Sequence, residues 1–266
     1  MLWDVHMHTM FSGDSEADPE DMIRAGIKEG LCGLCFTDHE DLDYPDDDVF
    51  EIDFNTYFPH MKRLKEKYKD KIEVLCGMEL GLQTHLADIH KELLDKYDFD
   101  FVIGSSHLVH GVDPYYPEYY KDRSEKEAYL EYFESIYENI KAYDGFDVYG
   151  HLDYVVRYGP NKDKDYTYEG YKDIIDEILK LLISKDKGIE VNTAGLRKGL
   201  KCTNPCTDII KRYLELGGQI ITLGADAHRP SDVAYKFNET AELLKSLGIN
   251  KLCVFKNRIP NFFAIS

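Results

Sequence analysis

The sequence predicts a parallel α/β fold, one domain closed or nearly closed into a barrel. Seven short, almost continuously apolar runs alternate with longer segments of helical period, and no Pro/Gly/Ser-rich linker interrupts them. Apolar runs of that kind suit parallel strands covered on both faces, and their alternation with helices gives a parallel sheet. The residues able to bind metal fall at or just past the C-terminal ends of the runs. In closed barrels the loops after the strands form the functional face.

The first run covers residues 2–6, and Asp18-Pro19-Glu20-Asp21 then offers an N-cap, a proline at the first helical position and early negative charge. Runs at 32–37, 72–78 and 101–105 follow. Ser124-Glu125-Lys126-Glu127 has the form of a capping box. Tyr129, Tyr132, Phe133, Ile136, Tyr137 and Ile140 recur at three- and four-residue steps, which predicts a helix with one packing face. The fifth run is 147–150. Tyr171, Ile174, Ile175, Ile178 and Leu182 form the next stripe, and runs at 189–192 and 219–223 complete the seven. A short run at 252–255 is a candidate eighth strand.

A chain of 266 residues suits one large barrel and is long enough to bury a sizeable core. Its 43% hydrophobic and 31% charged residues are ordinary for a globular protein. The formal charge of −18 repels phosphate backbones and anionic membranes, so neither nucleic acid nor membrane is an expected partner. No apolar run approaches the roughly 20 residues that span a bilayer. The N-terminus opens on a strand-like, ligand-bearing segment with no room for a signal peptide. A cytoplasmic location is therefore expected, with Cys32, Cys35, Cys76, Cys202, Cys206 and Cys253 as free thiols. Cys32-Gly33-Leu34-Cys35 has CxxC spacing but lies in an apolar strand with no second such pair, and is read as buried small side chains. Oligomeric state is open.

The histidines carry the chemistry. His6 and His8, two apart on a strand, project to one face and can share a metal. Asp14 and His39 lie in the loops after the first two runs. Glu79 ends the third and could bridge two ions, His107 and His151 close the fourth and fifth, and Asp226 and His228 close the seventh. Nine ligands with one bridging member can serve three metals, and the mixed N/O set accepts Zn, Mn, Fe or Co. The segment 38–53 holds nine acids in sixteen residues and should lie on the functional face, where it could meet the cationic part of a substrate. His60, His85 and His90 fall in helical segments and read as surface or packing residues. His110, three residues after His107, is a candidate substrate contact.

Asp4-x-His6-x-His8, Thr37-Asp38-His39, Glu79, Ser106-His107, Gly150-His151-Leu152-Asp153 and Ala225-Asp226-Ala227-His228 resemble the four motifs of the PHP (polymerase and histidinol phosphatase) family, in order over nearly the whole chain. The resemblance implies a distorted (β/α)7 TIM-like barrel, with residues 1–266 forming one metallophosphoesterase domain around a trinuclear centre. It implies His6, His8, Glu79 and Asp226 on one metal, Glu79, His107 and His151 on the second, and Asp14, His39 and His228 on the third. The tyrosine-rich helix over 124–143 with the segment 145–153, the segment 189–197, and Phe255-Lys256-Asn257-Arg258 resemble the histidinol-phosphate phosphatase branch. That branch implies a phosphomonoesterase of histidine synthesis, converting L-histidinol phosphate to L-histidinol and phosphate by attack of a metal-bridging hydroxide.

Arginine grips phosphate with planar, bidentate geometry. Arg197 is the first candidate for that grip, Arg157 the second and Arg229 the third. The leaving alkoxide needs a proton, and Asp14, His39 and Asp153 are candidate donors. Two alternatives keep metal hydrolysis: a PHP-type phosphoesterase of a nucleotide or phosphodiester, and an amidohydrolase-type barrel, in which Glu79, Asp14 and His39 have no natural place. A third is a non-catalytic barrel whose metals only hold its loops together, against which the completeness of the ligand set stands.

Overall fold

The structure, a computed structural model, describes residues 2–45 and 50–265. The expected barrel is present. Parallel strands run in the order β1 (Trp3–Asp4), β2 (Gly33–Phe36), β4 (Glu73–Gly81), β5 (Phe101–Ser105), β6 (Val148–Tyr149), β7 (Gly188–Asn192) and β8 (Ile221–Gly224), with β3 (His39–Glu40) also pairing β4. Between β8 and β1 the ring is joined by Val5 N–H donating to Leu223 O and His8 N–H donating to Ala227 O, while Met7 pairs in parallel with Ala227. These closing contacts draw the loops that carry His6, His8 and Asp226 against each other.

β2 and β3 behave as one strand interrupted at Thr37-Asp38. β2 faces Glu73 to Cys76 of β4, and β3 resumes against Glu79 and Leu80 in unchanged register. At the break the buried Asp38 carboxylate accepts from Thr9 N–H (2.6 Å), Thr9 Oγ1 and Ser12 Oγ, pinning the loop after β1.

The helices α1 (Pro19–Lys28), α2 (Phe54–Tyr68), α3 (Ala87–Lys96), α4 (Glu125–Ala142), α5 (Lys172–Ser184), α6 (Ala194–Arg197), α7 (Thr207–Glu215) and α8 (Phe237–Ser246) fill the connections. Asp18 caps α1 through the Glu20 N–H, with Pro19 at its first position, and Ser124 and Glu127 form both arms of a capping box on α4. The predicted stripe on α4 is buried except for a half-buried Tyr137. All six cysteines are free. No helix among the described residues is long and apolar enough to cross a membrane.

The run at 252–255 is not an eighth barrel strand. It lies in β9 (Lys251–Lys256), which pairs antiparallel with β10 (Ile259–Ala264). The two-residue turn between them has both Asn257 and Arg258 left-handed (φ 48° and 65°), as a type I′ hairpin requires. β10 eluded sequence reading because it is largely exposed and carries Pro260, features of an edge strand. Cys253, Val254 and Phe255 pack with Trp3, Leu75, Phe101 and Val148, and Phe255 stacks on Phe101 at 5.4 Å. Trp3, Leu75, Phe101 and Val148 lie at or near the N-terminal ends of their strands, so the hairpin seals the end of the barrel opposite the ligand-bearing loops.

Arg258 fastens this plug. Its Nε donates to Asp147 at 2.6 Å, its guanidinium also reaches the Gly145 carbonyl, and its backbone N–H donates to Asp100 O. Arg258→Ala would strip a charge-assisted partner from the buried Asp147 carboxylate. The expected cost is about 1–3 kcal/mol, or roughly 2–4 °C of Tm per kcal/mol at this chain length. Because the ligands sit at the other end, kcat at equal metal loading should not change. Calorimetry together with steady-state kinetics checks both.

Candidate metal centre and its cavity

Nine residues from the loops and ends of six strands (β1, β3, β4, β5, β6 and β8) meet at the C-terminal mouth. Glu79, at the end of β4, lies at the centre. Its Oε2 is 3.0 Å from His6 Nε2 and 3.3 Å from His8 Nε2, while its Oε1 is 3.1 Å from His107 Nε2 and 2.8 Å from His151 Nε2. One carboxylate thus presents an oxygen to each of two histidine pairs, the disposition a bridging ligand needs. Asp226 Oδ1 stands 3.4 Å from His8 Nε2 and 3.9 Å from His6 Nε2. Asp14 Oδ2 is 2.7 Å from His228 Nε2 and 3.6 Å from His39 Nε2. The three groups run into one another, with His8 also close to Asp14, His39 and His228. All nine candidate ligands are brought together.

The donor set and its electrostatics fit divalent cations. His8, buried and flanked by His228 and His39, is pushed down to about 3, and burial also lowers His151. Burial opposes charge on His6 and His39 too, yet Glu190, Glu79 and Asp226 around the first, and Asp14 and Glu79 around the second, hold both well above the ordinary histidine value. Burial resists ionisation of Glu79, but His6, His107 and His39 hold its carboxyl well below the usual range. The carboxylates demand positive charge where little water reaches. Protons on imidazole can meet that demand, and divalent metals meet it while leaving the ring nitrogens as ligands.

A surrounding layer orients these ligands. Glu190, fully buried on β7, accepts from His6 Nδ1 at 2.6 Å and from the His151 N–H at 2.9 Å. A Cβ at Gly224 would stand 2.3 Å from Glu190 Oε1, so glycine is needed beside it. Ser105 Oγ donates to Glu79 Oε1 at 2.6 Å, and Asp41 Oδ1 accepts from His107 Nδ1 at 2.8 Å, while its Oδ2 lies 3.0 Å from His39 Nδ1 without hydrogen-bond geometry. An acceptor at Nδ1 fixes the proton there and turns Nε2 to the centre as a lone-pair donor. Sequence reasoning missed Glu190 and Asp41 as functional residues. An acid alternating with apolar side chains in Ile189-Glu190-Val191-Asn192 was the available signal for the first; Asp41 was hidden among neighbouring acids.

The cluster opens into a cavity of about 1140 Å³. Arg197, on its wall, donates to the carbonyls of Ala225 (3.1 Å) and Asp226 (2.8 Å), supporting a residue with φ of 51°. Arg157, also on the wall, spends three N–H groups on Asn204 Oδ1, Asp226 Oδ2 and Asn192 Oδ1, leaving two of its five. Arg229 and Lys198 join them. By strand order, the loops after β7 and β8 bring Arg197, Lys198 and Arg229 to one side of the mouth. Those after β3 and β5 bring Tyr44, Phe50, Asp113 and Tyr115 to the other.

Three expectations are corrected. Asp153 is not a proton donor at the site: it is buried, does not line the cavity, and its oxygens accept from Asn204 Nδ2 and the Cys206 N–H. Asp14 and His39 do line it. His110 is turned outward at Glu131 and Glu138 of α4, away from any substrate. In the acidic segment 38–53, Asp46, Asp47 and Asp48 lie outside the described residues. Asp38 and Glu40 bind neighbouring backbone, Asp43 pairs with His85, Asp53 caps α2, and Asp41 alone of the described acids lines the cavity. Asp113, from the loop after β5, is another described acid that lines the cavity, on the side of Tyr44 and Phe50. His60 and His85 are at the surface as expected, and His90 is packed at 0% exposure against Tyr143.

The PHP domain family model matches residues 4–194 of the chain. The probable histidinol-phosphatase of Clostridium acetobutylicum is 35% identical over 98% of this chain and 100% of its own length. The histidinol-phosphatase of Lactococcus lactis is 34% identical over 95% of this chain and 93% of its own. A crystal structure of histidinol phosphate phosphatase from Lactococcus lactis, complexed with zinc, L-histidinol and phosphate, superposes with a TM-score of 0.90 at 32% identity and covers 98% of both chains.

Proposed function

Because the chain belongs to the PHP domain family, we propose that it is a metal-dependent phosphatase that hydrolyses L-histidinol phosphate to L-histidinol and phosphate. The observation that supports this reading is a cavity whose lining joins a donor set able to hold metal to Arg157, Arg197 and Arg229 and, from the loop after β5, Asp113. Two relatives that match over nearly the full length of the chain are a probable histidinol-phosphatase and a histidinol-phosphatase, and the superposing structure from Lactococcus lactis holds zinc, L-histidinol and phosphate together. In this reading His6, His8, Glu79 and Asp226 hold one metal, Glu79, His107 and His151 a second, and Asp14, His39 and His228 a third. Such metals lower the pKa of a coordinated water towards ~7 and neutralise charge on phosphoryl oxygens.

The chain's own residues do the rest. Arg197 and the two uncommitted N–H groups of Arg157 grip phosphate oxygens, with Arg229 beside them. Asp113 receives the cationic end of the substrate. It is buried, already oriented by Tyr44 OH (2.7 Å) and the Tyr115 N–H (2.7 Å), and a carboxylate has lone pairs left for an ammonium or imidazolium. The aromatic rings of Tyr44, Phe50, Tyr154 and Tyr158 flank the imidazole and exclude water.

Remote binding energy of this kind raises kcat/KM for the natural substrate above that of a minimal ester. Histidinol phosphate should exceed nitrophenyl phosphate by at least about 100-fold. Asp113→Asn should erode that ratio while leaving nitrophenyl phosphate hydrolysis near its wild-type rate. A wide preference for a nucleotide or a phosphodiester would leave the family standing and remove the named substrate.

A further inference from the structure

We infer that Asp153, which does not line the cavity, is a positioning residue for phosphate binding: through the Asn204 amide it sets how Arg157 presents its free N–H groups. A chain of buried hydrogen bonds links the three. Asp153 Oδ1 accepts from Asn204 Nδ2 at 2.5 Å, and Asn204 Oδ1 accepts in turn from Arg157 Nε at 2.8 Å. All three residues are buried, and only Arg157 lines the cavity. Arg157 has here the phosphate-binding role proposed above, on which the inference rests.

Two asparagines share the guanidinium. Asn192 and Asn204 pair through their backbones, each N–H donating to the other's carbonyl, at 2.8 and 2.9 Å. Both side chains then reach Arg157, where Asn192 Oδ1 accepts from Nη2 at 2.8 Å. Asp226 Oδ2 accepts from Nη1 at 2.9 Å. Three acceptors on three different nitrogens hold the planar group against rotation and leave one N–H on Nη1 and one on Nη2. The aim of that remaining pair depends on the whole plane, and Nε is the corner that Asp153 controls.

An asparagine tip carries both an acceptor and a donor, so its orientation must be chosen. Turned the other way, Asn204 would set its NH₂ against the Nε–H of Arg157, donor facing donor. Burial pushes the Asp153 carboxyl up to about 6, so at mildly alkaline pH it is ionised. It then only accepts and draws Nδ2 to itself, and Nδ2 also reaches the Asp153 carbonyl oxygen at 3.3 Å. Asp153 Oδ2 accepts from the Cys206 N–H at 2.9 Å, which anchors the carboxylate. Gly195 leaves room for the amide, since a Cβ there would stand 2.6 Å from Asn204 Oδ1. Asp153→Asn fails whichever way its own amide turns. With NH₂ towards Asn204, that amide is driven to flip and meets Arg157 with a donor. With NH₂ towards Cys206, the anchoring N–H faces a donor and the side chain is released.

The test measures inhibition of the full-length, zinc-loaded enzyme by inorganic phosphate, at mildly alkaline pH, with nitrophenyl phosphate as reporter and bound zinc counted. Asp153→Asn should raise the Ki of phosphate by roughly 10- to 100-fold, the scale of a small misplacement in a binding site. Zinc content should match wild type. Asn204→Ala removes the link while keeping Asp153; it should give the same rise, and it stands in for Asp153→Asn if that variant does not fold. The decisive readout is a cycle with Arg157→Lys, which keeps a charge beside Asp226 but has no planar fork. In that background Asp153→Asn should change the Ki by less than about 2-fold, whereas a merely structural role would show its full effect in both backgrounds. An unchanged Ki in Asp153→Asn and Asn204→Ala, equal losses in both backgrounds, or loss of zinc would overturn the positioning role. If Arg157→Lys alone leaves the Ki of phosphate unchanged, the phosphate grip of Arg157 fails and the inference falls with it, a result distinct from failure of Asp153.

Discussion

Glu79→Gln should lower kcat/KM for histidinol phosphate by on the order of 10²- to 10³-fold, the range seen when one electrostatic element is removed from a catalytic site. The substitution preserves shape and lowers activity for a definable reason. Glu79 presents Oε2 to His6 and His8, and Oε1 to His107 and His151, with Ser105 Oγ donating to Oε1. Glutamine keeps one acceptor and turns an NH₂ towards the other pair. Two histidines then face a donor, and the central negative charge that makes two cations affordable at short separation is gone. Metal content should fall with activity. Elemental analysis beside the kinetics decides the matter: full activity with one metal or none per chain would end the trinuclear reading.

Arg197→Ala should reduce kcat/KM by roughly 10- to 150-fold, equivalent to the roughly 1.5–3 kcal/mol of a charge-assisted hydrogen bond. The guanidinium stands on the cavity wall beside Arg229, and it also supports the Ala225 and Asp226 carbonyls. A merely structural role would show as metal loss. We expect metal to be retained, because the Asp226 carboxylate is held independently by Arg157 Nη1 at 2.9 Å. Arg197→Lys should recover little, since a point charge cannot reproduce a planar fork. Near wild-type kinetics in a fully metallated Arg197→Ala would move the phosphate grip to Arg157 or Arg229.

Much of this was legible before folding. Period and chemistry together gave the barrel and the set of candidate ligands, because a parallel strand must be apolar along its length. A histidine or acid at the end of such a run is then conspicuous: His6, His8, Glu79, His107, His151, Asp226 and His228 all stood out in that way. The β9–β10 hairpin did not, since β10 is exposed and irregular in pattern. Its sealing role depends on Phe255 finding Phe101 some 150 residues earlier in the chain.

Side-chain direction was the part that the sequence withheld. Asp153, His110 and the acids at 38–53 sit beside motif residues in the chain, and proximity in sequence suggested proximity to substrate. In the folded chain Asp153 turns to Asn204, His110 to Glu131, and Asp38 to Thr9. Each satisfies a local backbone or charge requirement instead of facing the cavity. Conversely, Glu190 and Asp41 join the site through contacts spanning 184 residues for His6–Glu190 and 66 for His107–Asp41. By itself the sequence determined which atoms could bind metal and at which end of which strand they lie, because strand periodicity and residue chemistry are local. Only the tertiary structure decided which oxygen faces which nitrogen, because that depends on how the barrel closes and on where a missing Cβ, at Gly224, leaves room for a carboxylate.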